Sequence, residues 1–138
     1  MGFLTSDDYG AQIRQEQLDI VLSSAPANAL LQAELFAQEL IESHLRQRYD
    51  VAEIFAATGE ARSNIIITYA VDIALYTVHS RHGRVAMPEK RLDRYDQAIS
   101  WLKAVAAGKV SANLPALPVA TAPGRFKWGS EPKQNLSW

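Results

Sequence analysis

SNIIITYAVDIALYTVHS, residues 63–80, decides the fold of this chain. Ile65, Ile66, Ile67, Val71 and Ile73 give it the β-branched content of a strand. Its length argues otherwise, because nearly twenty residues between Arg62 and Arg81 exceed an ordinary strand of about 5–6 residues, and no period-two alternation runs through it. A helix that is apolar on most faces belongs at the centre of a bundle. Asp72 is the exception within it, and a lone carboxylate there carries a desolvation cost unless a cation meets it. Arg91 or Arg94, from the next helical segment, is the expected partner.

Working outward, helical spacing recurs on both sides. Toward the N-terminus, DVAEIFAATGEAR reads as one short helical turn capped by Asp50, with Glu53 at the third position and Gly59 closing it. Before it, Pro26 suits the first turn of a long helix whose stripe is Leu30, Ala33, Ala37, Leu40, Ile41, His44 and Leu45 and which ends near Arg48 and Tyr49. Thr5 and Asp8 form a capping-box pattern for a first segment, which Gly10 interrupts before a second one carrying Ile13, Leu18, Val21 and Leu22. Toward the C-terminus, Pro88 opens a final helix with Leu92, Tyr95, Ile99, Leu102 and Ala106 on one face, and Gly108 stops it. The expectation is an all-α fold, a small bundle of about four main helices. Pro115, Pro118, Pro123 and Pro132, with Gly124 and Gly129, then exclude helix and predict a long extended C-terminal tail.

Two units follow, a helical domain over residues 1–114 and an arm over 115–138. The arm is unlike ordinary disordered sequence, since Phe126, Trp128 and Trp138 stand beside Arg125 and Lys127, residue types that anchor interfaces. These five are the candidate partner contacts of the tail.

Composition narrows the chemistry. The 138 residues, 48% apolar, suit one domain, and the absence of cysteine excludes disulfides, thiolate metal sites and a cysteine nucleophile. The opening MGFLTSDDYG lacks a signal-peptide pattern and no run approaches a membrane span, so neither export by that route nor contact with a membrane is expected. The net charge of -1 conceals a division: residues 1–60 hold ten acidic and three basic side chains, residues 61–138 five acidic and eleven basic. Halves near -7 and +6 allow one face of a subunit to meet the opposite face of a neighbour, or a nucleic acid to meet the basic one. Arg81, Arg84, Lys90, Arg91 and Arg94 are the candidate subunit or DNA contacts, although no recognition helix or aromatic platform accompanies them.

No catalytic, cofactor-binding or metal site is expected. His79 and His82 stand three apart without a convergent carboxylate, and His44 lies on an apolar stripe where a hydrogen-bonded, half-buried ring is the simplest reading. Neither a G-x-S-x-G elbow nor a phosphate loop of the form G-x-x-x-x-G-K-[ST] occurs. No arginine lies four to six residues ahead of any histidine, as one class of small helical nucleases would require.

Three stretches together resemble a known family. IESHLRQRYD, YAVDIALYTVHSR and RLDRYDQAISWLKAVAAGKVSANLP look like the head-tail connector proteins of tailed bacteriophages, the Mu-like prophage type, in order and spacing over about residues 3–115. The most specific piece is RYDQAISWLKAVAAGKVS, where Arg94-Tyr95, Ala98, Trp101-Leu102 and Gly108-Lys109 stand at the family's RY, A, WL and GK. Where members often carry a proline soon after the RY of the second helix, this chain continues DVAEIFAATGEA.

The resemblance implies a structural subunit without enzymatic activity. It would form a ring, by analogy dodecameric, beneath the portal protein, and present a surface to the tail or a stopper protein. Double-stranded DNA would pass non-specifically through its lumen. Its place would be the virion's head-tail interface, and the host cytoplasm during assembly. Residues 116–138 would then serve as a strap between subunits or proteins. The competing reading is a small helical DNA-binding or regulatory protein of a mobile element, gripping phosphates through the basic cluster.

Overall fold

Residues Asn64–His82 form one uninterrupted helix in the computed structural model, which describes residues 2–82 and 86–117. Around this central element the described residues hold, in chain order, α1 (Ser6–Gly10), α2 (Gln15–Leu22), α3 (Ala29–Leu45), α4 (Val51–Ala56), a single 3-10 turn (Gly59–Ala61), the central α5 (Asn64–His82) and α6 (Glu89–Ala106). The fold is therefore all-α, with α2, α3, α5 and α6 as its four main helices. Among the described residues none of the helices is long and apolar enough to cross a membrane.

Each boundary has a local cause. At α1 the Thr5 N–H donates to Asp8 Oδ2 at 2.7 Å, the returning limb of the capping box. Burial pushes the Asp8 carboxyl up, but hydrogen bonds from Arg62 and Thr5 and the Arg62 charge together carry it below its ordinary value. The long helix α3 begins three residues after Pro26, with Asn28 at its cap, so Pro26 shapes the turn leading in and lies outside the first helical turn. Asp50 caps α4 by accepting the Glu53 N–H at 3.1 Å. At the end of α6, Gly108 adopts φ +79°, and Gly108 and Lys109 donate back to Val105 and Ala104 in a Schellman arrangement.

The core lies where α3 and α6 pack on α5, with α1 and α2 closing against it from further sides. Ile41, Leu45, Ile66, Val71, Ile73, Val78, Leu102 and Val105 are fully buried there. Each such side chain contributes about 1.5–3 kcal/mol of transfer free energy, enough to hold α5 as a helix against its β-branched preference. His44 is half-buried, its Nδ1 2.9 Å from the Leu40 carbonyl.

One helical face differs from the reading of its apolar pattern. The buried stripe of α6 is Arg91, Ala98, Leu102 and Val105, whereas Leu92 stands in solvent and Ala106 is only half-covered. The helix is rotated so that a charged residue, Arg91, meets Asp72 of α5.

After Gly108 the chain turns back along the bundle. Ala112 N–H donates to the Tyr49 hydroxyl at 2.9 Å, Asp50 N–H to the Pro115 carbonyl at 2.8 Å, and an isolated antiparallel bridge joins Tyr49 and Ala116. Arg48 reaches across to the Ala106 carbonyl with Nε at 3.3 Å. Residues 109–117 are thus clasped to the corner between α3 and α4. Most of the 115–138 arm, residues 118–138, lies outside the described residues.

Candidate functional site

The chemistry of this chain concentrates where α5 meets α6. Asp72, at the middle of α5, is almost wholly enclosed, and the following helix brings two guanidinium groups to it. Arg94 Nε donates to Asp72 Oδ1 at 3.1 Å, and Arg91 Nη1 stands 3.6 Å from the same oxygen. Burial pushes the Asp72 carboxyl above its ordinary value, while the Arg94 hydrogen bond and the charges of both arginines pull it back. Burial likewise draws Arg91 below its ordinary value, with the Asp72 charge opposing. Beside this cluster the rings of Tyr76 and Tyr95 stack with centroids 3.8 Å apart.

Arg91 does more than answer Asp72. Its side chain is 10% exposed and its Nη2 donates to the Gln12 carbonyl at 3.2 Å, tying the link between α1 and α2 to the α5–α6 seam. Without that bond the link would present an unanswered carbonyl to the seam. His79, also half-buried on α5, is held below its ordinary value first by burial and then by the Arg91 charge, so its ring is neutral at pH 7. Neither His79 Nδ1 nor Arg91 Nη1 makes a hydrogen bond among the described residues, Arg91 Nη1 meeting Asp72 at ion-pair distance only.

Next to these groups a cleft of about 380 Å³ opens between α2 and the start of α6. Ile13, Ile20, Val21 and Pro88 form its apolar wall, and Lys90, Arg91 and His79 its cationic side. Ile20 is 60% exposed. A second apolar surface lies along α3, where Leu31 and Leu35 sit one turn apart at 48% and 47% exposure and border Phe3, Leu4 and Phe55 across a small groove that the described residues leave open, with exposed Glu39 a turn further on. The α3 stripe read from sequence omits Leu31 and Leu35. Their i, i+4 spacing off that stripe was the available signal for a second apolar face.

The basic residues singled out by sequence do not gather into one patch. Arg91 and Arg94 converge on Asp72, Lys90 borders the α2–α6 cleft, and Arg81 sits over the Phe36 ring at 5.4 Å from its centroid. Arg84 lies outside the described residues, as do the tail residues Arg125, Phe126, Lys127, Trp128 and Trp138. Among the described residues, His, Asp and Glu side chains form no group of three or more that could hold a metal ion.

These features define a class of protein: a small all-α domain locked by a buried arginine–aspartate cluster and carrying apolar surface that its own described helices leave uncovered. The chain belongs to the bacteriophage Mu Gp36 family, whose sequence pattern matches residues 3–128, and it is thus a Mu-like phage protein. A comparison with curated proteins found no match.

Proposed function

We propose that this chain is the subunit of a head-tail connector, a ring that sits under the portal and joins the DNA-filled head to the tail. The observation that carries the reading is the family relationship over residues 3–128, together with the RY, A and WL landmarks of α6 and the GK just past its end, which resemble connector proteins. The charge division supports it, because halves near -7 and +6 favour head-to-tail contacts that close under rotational symmetry. So do the exposed leucines of α3 and Ile20 of α2, which the other described residues of the chain leave uncovered. The subunit's work is mechanical and adhesive, with no bond made or broken. Its partners are copies of itself, the portal, and the tail or stopper protein, while duplex DNA traverses the lumen.

Light scattering on the purified chain, alone and with the portal of the same phage genome, at low and high salt, tests this. A ring mass, or a monomer that becomes a ring on the portal, is the expected result. A monomer or dimer that ignores the portal yet binds duplex DNA with steeply salt-dependent affinity would replace the connector by the regulatory DNA-binding reading. Truncation after Leu117 leaves the helical domain folded and lowers assembly yield if the arm is a strap. Unchanged yield would remove the arm from the proposal.

A further inference from the structure

We infer that copies of this chain dock head to tail, the exposed Leu31–Leu35–Glu39 stripe of α3 from one copy seated in the α2–α6 cleft of the next. The inference rests on the connector reading and specifies its interface.

Two surfaces of one subunit are matched in chemistry. The α3 stripe presents Leu31 and Leu35, then the carboxylate of Glu39, over two turns of a rigid helix. With a rise of about 1.5 Å per residue, Leu31 and Glu39 lie about 12 Å apart along the axis. The cleft offers an apolar wall of Ile13, Ile20 and Pro88 and, at its edge, the Lys90 ammonium. Leucines against the wall and the carboxylate toward Lys90 give an apolar centre with a charged rim, the ordinary anatomy of a protein interface. The sign of the pairing follows the division of the chain: α3 lies in the acidic half, Lys90 in the basic half.

The two surfaces share no residue, so their pairing is heterologous. One copy engaged through its α3 still offers its cleft, and the next copy still offers its α3. Such a contact propagates until the rotation closes, as a ring subunit requires. A contact of one patch with itself would stop at a dimer.

The chain's lack of cysteine makes the test clean. Ile20→Cys is coupled to a benzophenone maleimide, mixed with unmodified chain uniformly labelled with ¹⁵N, assembled alone and on the portal, irradiated, and mapped by mass spectrometry. The expected product joins position 20 to a ¹⁵N peptide from residues 29–45. On unlabelled-probe samples, Glu39→Lys lowers assembly at least tenfold at low salt, and adding Lys90→Glu on the same chain restores it. Scattering on the same samples separates the failures. If the particles assemble but position 20 links to α2, to residues 118–138 or to the portal, this interface is wrong and the ring stands. If the unmodified chain assembles neither alone nor on the portal, the connector reading falls and takes this interface with it.

Discussion

Asp72→Ala removes the only carboxylate among the described residues that faces Arg91 and Arg94 in the α5–α6 seam, and its cost can be worked from their different burial. Arg94, with its side chain 36% exposed, can turn its guanidinium into water and lose little. Arg91, at 10% exposure and tied to the Gln12 carbonyl, stays behind as an uncompensated buried charge. Breaking a buried pair in this way costs about 3–5 kcal/mol. A domain of this size has about 5–15 kcal/mol in all, so the variant keeps a fold of reduced margin. With a urea slope near 2 kcal/mol/M, the midpoint falls by about 2 M, read by far-ultraviolet circular dichroism. The companion variant Asp72→Leu with Arg91→Met replaces the pair by apolar volume and recovers most of that loss, falling short by about 1–3 kcal/mol for the Gln12 carbonyl that Arg91 no longer answers. If Asp72→Ala costs less than about 1 kcal/mol, the seam is wet and the reasoning is refuted.

Three further outcomes follow from the same geometry. Gly108→Ala loses about 1–2 kcal/mol, because φ there is +79° and a Cβ would stand 2.6 Å from Arg48 Nη2; in an Arg48→Ala background, which already lacks the Arg48–Ala106 bond, the same change loses only the backbone part, and a thermal-melt comparison of the four chains checks it. Trp101→Ala costs about 2–3 kcal/mol, below the range for a fully enclosed ring, since Trp101 is half-buried against Tyr69 at 5.1 Å between centroids; denaturant titration decides it. Asp8 is depressed in the folded chain, so its stabilisation is complete above its unfolded value near 3.8 and is lost as pH falls through the lower folded value. Asp8→Asn is therefore less stable than the natural chain at pH 6, and the difference vanishes in acid; a difference that stays constant with pH would assign the loss to packing.

The contrast between α5 and α6 marks how far the sequence could be read. Length overruled composition correctly in α5, because a run of nearly twenty residues has few architectures open to it. The partners of Asp72 were also legible, since a carboxylate enclosed on all sides demands a cation and the next helix offered two. The rotation of α6 was not. Apolar periodicity counts Leu92 as inward and Arg91 as outward, whereas the ion pair reverses them, and a hydrophobic stripe contains no term for such a pair. The α2–α6 cleft was hidden for another reason. Its wall combines residues from the α1–α2 link, α2, α5 and α6, so it exists only after packing. The start of α3 shifted by three residues because a proline favours a first turn and a turn ahead of a helix alike.

The clasp of residues 109–117 bears on how the helical bundle would take up a pull on its C-terminal segment. Any pull on the chain beyond Leu117 does not run straight into α6, from which that segment is continuous. It arrives first at Arg48, Tyr49 and Asp50, whose backbone and hydroxyl groups hold the segment, and so passes into α3, the helix that lies along α5. Gly108 and Arg48 complete the circuit by tying the end of α6 to the same corner. Tension on the arm is thereby shared between two long helices anchored in one core, and the weakest link in series is a few hydrogen bonds at the surface. Overload would peel residues 109–117 from that corner and lengthen the tether while leaving the bundle intact, so the clasp would act as a mechanical fuse.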